Sequence, residues 1–152
     1  TSFGPGRFAR TAERLREHNQ PIADYAFTAR GADGALLGTI SYWPIGVSAG
    51  SGEVIGLLLG PLAVHPDMQG QGVGQELMRA SLQMVDPQTF AFVLLVGDLP
   101  YYEKTGFMTA PSTLVMPGPV DPARLLVRPT DGAHAALCGT LSGKVRPLPE
   151  MC

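Results

Sequence analysis

A hydrophobic stripe at helical spacing opens the chain, and two apolar-rich runs follow it on either side of a hairpin signal. The stripe predicts a helix over residues 7–18. The Asp33-Gly34 pair favours a tight turn, so strands are predicted on both sides of it, over Ala23–Arg30 and Ala35–Trp43. The Gly- and Ser-rich residues Pro44–Gly52 predict a loop after the second strand.

The middle of the chain places an amphipathic run between two nearly continuous apolar runs. Residues 54–64 and Phe90–Val96 predict strands that are buried on both faces, and residues 73–85 predict the helix between them. Such a strand–helix–strand unit forms a right-handed parallel crossover. A short helix is predicted over Pro100–Thr105, and the proline-punctuated tail is expected to hold one strand, Arg124–Arg128. The predicted fold class is therefore α/β.

Length and composition agree with a single folded domain. A chain of 152 residues with 45% hydrophobic residues is long enough for one core and is not of disordered composition. We expect one domain over residues 1–152, with a core at 54–107 and a loop-rich portion at 108–152. A net charge of -2 offers no basic field for nucleic acid, and no apolar run approaches the roughly 20 residues that span a bilayer. Cys138 and Cys152 lack metal-ligand spacing, so we expect no metal and a reduced, cytoplasmic setting.

A glycine-rich turn joins the central strand to the central helix. Its sequence is Gln-Gly-Gln-Gly-Val-Gly, over Gln69–Gly74. A strand that leads through such a turn into a helix aims backbone N–H groups at a phosphate. Glycines at alternate positions also remove the Cβ atoms that would keep a ligand away from the main chain. The turn therefore predicts a pyrophosphate-bearing cofactor.

The spacing of the glycines excludes two common phosphate-binding loops. A P-loop ends in Lys-Ser or Lys-Thr, whereas Gly74 is followed by Gln75 and Glu76. The dinucleotide-binding pattern needs a different glycine spacing and an acidic residue at the end of the next strand, but Phe90–Val96 is entirely apolar or small. A nucleotide-binding protein of another fold is therefore disfavoured.

The remaining pattern, Gln-x-x-Gly-x-Gly, resembles the acetyl-CoA signature of the GNAT acetyltransferase superfamily. Its neighbours resemble the family in the same order: Leu62–Pro66 the end of the fourth strand, Phe90–Val96 the fifth strand, and Tyr101–Phe107 the short fourth helix and its exit. Gly97–Tyr102 is closer still to the YhbS-like branch of predicted N-acetyltransferases. The resemblance implies the GNAT fold, a twisted mixed sheet with splayed strands flanked by helices. The family's N-terminal strand and helix are not visible, so we expect the chain to open inside the first helical region.

The resemblance also implies how acetyl-CoA is held. It places the pyrophosphate on the glycine turn and the N-terminus of the next helix, and the pantetheine arm beside the preceding strand. Tyr101 is expected as a pantetheine contact or a core residue, and Lys104 near the CoA phosphates or simply exposed. The expected cofactor-binding residues are Leu62, Ala63, Val64, Gln69, Gly70, Gln71, Gly72, Val73, Gly74, Gln75, Tyr101 and Lys104.

Acetyl transfer needs a proton donor for the leaving thiolate and a means of keeping the amine neutral. Tyr102 lies four residues before Gly106, where the family's thiolate-protonating tyrosine falls, so it is the candidate acid; its alternative role is aromatic packing. The apolar Leu57–Leu59 offers no carboxylate where many members carry a glutamate. Glu53 and Asp98 are the candidate bases, with His65 a third. Their alternative roles are a solvent-facing loop residue, a helix N-cap and a turn contact, in that order.

Two classes of function remain. The first is an N-acetyltransferase that transfers acetyl directly to a small-molecule or peptide amine in a ternary complex. The second is a non-catalytic, regulatory acyl-CoA-binding module of the same fold, which the absence of a strand carboxylate favours. Tyr102 favours the enzyme. Because dimers are common in the superfamily, a homodimer is also expected.

Overall fold

The strands of the chain form one mixed eight-stranded sheet. The computed structural model describes residues 14–17, 19–49, 52–68 and 70–149. The strands are β1 (Phe27–Arg30), β2 (Leu36–Ala49), β3 (Gly52–Val64), β4 (Phe92–Val96), β5 (Met108–Thr109), β6 (Leu114–Val115), β7 (Leu125–Pro129) and β8 (Gly143–Pro147). The helices are α1 (Val73–Met84), α2 (Leu99–Tyr102) and α3 (Ala135–Gly139), and 3-10 turns lie at Ala23–Tyr25, Pro66–Met68, Glu103–Thr105, Pro122–Arg124 and Gly132–His134. The sheet order is β5-β7-β4-β3-β2-β8-β6, and β1 pairs with β2.

A long antiparallel hairpin of β2 and β3 forms the centre of the sheet. Its pairing runs from Gly38 opposite Val64 to Ala49 opposite Gly52. The loop predicted over Pro44–Gly52 is therefore wrong, since residues 44–49 and 52 are strand. The physical reason is that this segment has a partner on each edge: β3 pairs with it along its whole length, and β8 pairs with residues 45–47, so a Gly-rich segment becomes buried sheet.

The chain before the hairpin agrees only in part with the sequence pattern. Residues 14–16 are helical, and the first part of the helix predicted over 7–18 lies outside the described residues. The strand predicted over Ala23–Arg30 begins only at Phe27, because the preceding 3-10 turn buries Tyr25. The ring of Tyr25 contacts those of Tyr42 and Phe90 edge-to-face, at centroid distances of 6.3 and 6.0 Å.

The predicted strand–helix–strand unit is present as β3, α1 and β4. Its two strands are parallel, but they pair only at Leu57 opposite Val93 and Leu58 opposite Leu94. Beyond this point the pairing of β3 with β2 shifts register, because Gly60 and Pro61 together face the single residue Ser41. Such a bulge bends and twists its strand. The far ends of β3 and β4 are therefore splayed, which together with the flanking helices confirms the expected GNAT fold.

The C-terminal tail contains more strands than its proline-rich sequence predicts. The predicted strand at 124–128 is present as β7, which pairs with β4 at five positions from Phe92 to Val96. The prediction that this is the tail's one strand is wrong, because β5, β6 and β8 also join the sheet. These strands have two to five residues each, too few for a clear alternation of polar and apolar positions. Their partners in the sheet, rather than their own pattern, determine them.

Candidate functional site

The glycine turn presents open backbone in front of α1. Gly70 and Gly72 adopt left-handed backbone, with φ of 84° and 82°, and no atom lies within 4 Å of a Cβ placed on either. The first hydrogen bond inside α1 runs from the Glu76 N–H to the Gly72 carbonyl. The N–H groups of residues 73–75 therefore have no helical partner, and no described residue accepts from them. Gln69 lies outside the described residues.

The splayed ends of β3 and β4 enclose the cavity that adjoins this turn. Its volume is about 250 Å³, and its walls are Leu62 and Val64 from β3 together with Asp98, Tyr101 and Tyr102 after β4. We call this cavity the gap. Side chains alternate along a strand, so Ala63, between the two β3 residues, turns to the opposite face. The gap lies where the parallel pairing has already stopped, so unpaired strand backbone borders it.

Contacts between α1 and α2 join the turn to the gap. A Cβ on Gly74 would lie 2.2 Å from the Tyr101 hydroxyl oxygen and 3.4 Å from Val64 Cγ2. The missing Cβ of this third glycine therefore makes room for Tyr101, and not for a ligand as the pattern indicates. Gln75 Nε2 donates to the Tyr101 carbonyl at 2.9 Å. Tyr101 thus links the turn and the gap, because it lines the gap and its hydroxyl group packs against Gly74 at the start of α1.

Tyr102 lies at the wall of the gap with its ring largely buried. The ring contacts that of Tyr101 edge-to-face at a centroid distance of 4.9 Å. Burial raises the pKa of Tyr102 to about 12, with smaller contributions from Tyr101 and the Asp98 carboxylate. The positive charge of Arg124 acts in the opposite direction and lowers this pKa. The phenol is therefore uncharged at neutral pH and carries a proton that it can donate. Burial also raises the pKa of Tyr101.

Asp98 lines the gap and is held by a residue that the sequence pattern does not reveal. Its carboxylate accepts from Arg124 Nη1 at 2.5 Å. Asp98 occupies the N-cap position of α2, but its side chain makes no capping bond; its carbonyl accepts from the N–H groups of Tyr101 and Tyr102. The Arg124 Nε is buried and has no hydrogen-bond partner among the described residues. No local motif connects two residues that are 26 positions apart, so this pair becomes visible only in the fold.

The structure does not bring Glu53 to the gap. Glu53 lies at the opposite end of β3, nine residues before Leu62, which corresponds to roughly 30 Å of strand. It is a strand residue rather than a loop residue, and Arg146 engages both of its oxygens, with Nε to Oε2 at 2.6 Å and Nη2 to Oε1 at 2.9 Å. Of the two carboxylates predicted as bases, only Asp98 borders the gap.

The other predicted residues lie beside the turn or away from it. Gln71, together with Gly72 and Val73, also borders a groove of about 350 Å³ whose opposite wall is β1. His65 follows β3 and accepts the Asp67 N–H on Nδ1 at 3.1 Å, which is the turn contact considered for it. Lys104 lines a separate cavity on the other side of α2.

Comparison with known proteins agrees with this geometry. The family described as acetyltransferase (GNAT) domain matches residues 23–109, more than half of the chain. The chain belongs to the GNAT acetyltransferase family. It is 27% identical over 109 residues to the uncharacterized N-acetyltransferase YhbS of Escherichia coli K12, a match that covers 72% of this chain and 63% of that protein. The predicted resemblance to the YhbS-like branch is confirmed.

Solved GNAT structures show the same fold. The crystal structure of YhbS from Escherichia coli in complex with CoA superposes with a TM-score of 0.72 at 22% identity, covering 99% of this chain and 80% of that one. A GNAT acetyltransferase from Brucella melitensis in complex with acetyl-CoA gives a TM-score of 0.63 at 22% identity, covering 100% of this chain and 82% of that one.

The part of the chain that the structure describes offers neither a metal-binding cluster nor a membrane-spanning helix. Within it, no group of three or more His, Cys, Asp or Glu side chains is arranged to hold a metal ion. No helix in these ranges has the length and apolar character needed to cross a bilayer. Cys138 is buried and free, and Cys152 lies outside the described residues.

Proposed function

We propose that this GNAT chain is an acetyl-CoA-dependent N-acetyltransferase that transfers the acetyl group directly to the amine of a small molecule or peptide. The observation that carries the proposal is that the glycine turn lies beside the gap, joined to it through Tyr101, and that Tyr102 holds a proton at the wall of the gap. Membership of the family and the CoA and acetyl-CoA complexes of its structural neighbours support it.

The described residues fit the cofactor. Gly70 and Gly72 leave open space in front of three unpaired N–H groups at the N-terminus of α1, which suits a pyrophosphate by both hydrogen bonding and helix dipole. Leu62 and Val64 give the gap an apolar wall for the pantetheine arm. The backbone of β3 beside that wall is unpaired with β4 and is free to hydrogen-bond the amides of the arm.

In the proposed reaction the amine nitrogen attacks the thioester carbonyl carbon. The C–N bond forms, the C–S bond breaks, and the electron pair of that bond stays on sulfur. Tyr102 donates its phenolic proton to the departing thiolate. The surplus proton of the amine leaves to water or to the Asp98 carboxylate, which lies at the same wall.

The raised pKa of Tyr102 restricts when it releases its proton. A phenol with a pKa of about 12 is a weaker acid than a thiol in water, whose pKa is about 8.5. The proton therefore moves only toward a thiolate that is itself desolvated. Burial raises the pKa of the Cys138 thiol to about 11 in this protein. The pKa of the CoA thiol would be raised for the same reason in a gap from which water is excluded. Exclusion of water from the gap is thus a condition of the proposed step.

One observation favours a non-catalytic acyl-CoA-binding module as the second candidate. The gap has no strand carboxylate, because Leu57–Leu59 is apolar and buried, and Glu53 is paired at the other end of β3. In such a module the turn and the gap would bind the cofactor, and Tyr102 would only pack against it.

Titration calorimetry with acetyl-CoA and with free CoA tests the proposed cofactor. We expect micromolar binding of both, with the Tyr102→Phe variant binding as tightly as the wild type. An amine-library screen for thiol release then separates the two candidates. Release with at least one amine supports the enzyme, whereas tight binding without release from any amine supports the module. A folded chain that binds neither compound contradicts both.

A further inference from the structure

A second cavity, distinct from the gap, concentrates positive charge. It has a volume of about 580 Å³ and lies between the C-terminal half of α1 and the segment that follows α2. Arg79, Lys104 and Arg128 line it, and no acidic side chain does so among the described residues. The chain as a whole carries a net charge of -2, so three cations around one cavity are a local departure from its overall charge. We call this the basic cavity.

Arg128 is half-buried, whereas Arg79 and Lys104 are exposed. It lies on β7, and desolvation lowers the pKa of its guanidinium, with an opposite effect of Tyr42. No carboxylate pairs with Arg128 among the described residues, whereas Arg79 is paired with Glu76 at 2.8 Å. Gly106, with φ of 93°, brings bare backbone beside this side chain, since a Cβ there would lie 3.0 Å from Arg128 Nε. A half-buried cation without a counter-ion is destabilising, and a bound anion would supply one.

The remaining walls indicate a ligand larger than a simple ion. Leu82, Val85 and Pro87 give the cavity an apolar wall, in which Leu82 lies one helical turn beyond Arg79. The volume also falls within the range of small-molecule sites, roughly 300–1,000 Å³. An anionic group and an organic part can therefore be accommodated together.

The basic cavity is separate from the cofactor surface. It shares no lining residue with the gap or with the groove beside the glycine turn. Along α1 its first residue is Arg79, seven positions beyond Gly72, which is roughly 10 Å of helix. A ligand in the basic cavity therefore leaves the lining of the gap and of the glycine turn unoccupied.

We propose that the basic cavity binds a phosphorylated small molecule, with its phosphate on Arg128, Lys104 and Arg79 and its organic part on the apolar wall. This site is independent of the acetyl-transfer reaction. Lys104 then serves the second ligand rather than the phosphates of CoA, near which the family resemblance places it.

Calorimetric titration of inorganic pyrophosphate into the chain, in a saturating excess of CoA, tests the proposal. We expect one equivalent of pyrophosphate to bind. Removing a charge-assisted hydrogen bond should weaken binding about tenfold in Arg128→Gln and less in Arg79→Gln. Arg30→Gln is the matched control, because this exposed arginine donates to Gly34 in the β1–β2 turn and does not line the cavity. It should bind as the wild type does.

Three results would overturn the proposal: no pyrophosphate binding, loss of that binding when CoA is present, or equal weakening in Arg30→Gln. Loss with CoA would assign the cations to the cofactor's own site. Arg79→Gln removes an exposed charge, so it keeps the test valid if Arg128→Gln does not fold. A chain that binds pyrophosphate but not CoA would support this site while contradicting the proposed function.

Discussion

The two ends of β3 show how one strand serves both the core and the site. From Leu57 to Leu58 the strand is paired on both edges, with β2 on one side and β4 on the other. From Leu59 to Val64 it keeps β2 alone. We call the half of β3 up to Leu58 the paired end, in which Leu57 and Leu58 are buried, and the half from Leu59 the open end, which forms one wall of the gap.

Glycine has different roles in the packing at the two ends. At the paired end, Gly56 leaves room for the Phe92 ring, whose end would lie 2.5 Å from a Cβ. Beside the open end, Gly74 in α1 and Gly97 after β4 leave room for Tyr101 and Tyr102, with Cβ distances of 2.2 and 2.3 Å. A missing Cβ thus increases packing in the core, but it positions hydroxyl-bearing rings at the gap. Stability and chemistry should therefore respond separately to changes at the two ends.

The largest effect is expected from Gly56→Ala at the paired end. The Phe92 ring is fully buried and cannot move aside, so the added methyl group should lower the free energy of unfolding by about 3 kcal/mol. Urea unfolding measures this change. Gly132→Ala is the control, because its Cβ would meet no atom within 4 Å. A Gly56→Ala protein as stable as the wild type would show that the paired end is not closely packed.

Tyr102→Phe should change chemistry at the open end with little change in stability. The variant keeps the ring that packs against Tyr101 but removes the proton donor. We expect turnover to fall by more than about tenfold while the affinity for CoA is retained. Steady-state kinetics with the identified amine, together with CoA titration, measure the two quantities. Unchanged turnover would leave Tyr102 with a packing role only.

The sequence was sufficient to predict the parts of the fold that depend on local pattern. The helix predicted over 73–85 matches α1, and the two apolar runs around it match β3 and β4. Gly106 follows the 3-10 turn at Glu103–Thr105 with φ of 93°, as expected for a residue that ends a helical segment. These features arise within a few residues of the chain, so the spacing of residue types reveals them.

Features that need a distant partner were not predictable. The loop expected at Pro44–Gly52 is strand because β3 pairs with it on one edge, and β8, about 100 residues later, covers the other edge at residues 45–47. Arg124 reaches Asp98 from the 3-10 turn that precedes β7. The role of Gly74 also depends on where α2 places the Tyr101 hydroxyl. In each case the deciding contact joins segments whose own patterns are uninformative about one another.

Tyr42 and Tyr102 allow the pH dependence of stability to be compared between the two regions. Tyr42 lies in the sheet opposite Leu59 and bonds Ser81 at 2.7 Å, whereas Tyr102 lies at the gap. Desolvation raises the pKa of each to about 12 from an unfolded value near 10. The folded state therefore binds these protons more tightly, and its stabilisation is complete below pH 10 and is lost as pH rises toward 12. Each phenol should lower the free energy of unfolding by about 1 kcal/mol between pH 10 and 11.

Urea unfolding of wild type, Tyr42→Phe and Tyr102→Phe at pH 8, 10 and 11 measures these contributions. Between pH 10 and 11 the free energy of unfolding should fall by about 1 kcal/mol less in each variant than in the wild type. Tyr42→Phe should be less stable than wild type at pH 8 by about the same amount, since it loses one buried hydrogen bond. Ser81 keeps its bonds to the Leu77 and Met78 carbonyls, so no larger loss is expected. If the free energy of unfolding falls as much in both variants as in the wild type between pH 10 and 11, the raised pKa values are contradicted.

The smallest effect is expected from Glu53→Gln. Its partner Arg146 is exposed, and exposed pairs contribute about 0–1 kcal/mol, so stability should change by less than about 1 kcal/mol. Because Glu53 lies at the paired end of β3, turnover and the pH dependence of the rate should be those of the wild type. Asp98→Asn is the matched substitution at the open end, and we expect it to alter the rate. A Glu53→Gln enzyme that binds CoA normally but loses turnover would instead restore Glu53 as the base. It would also show that chemistry is not confined to the unpaired end of the strand.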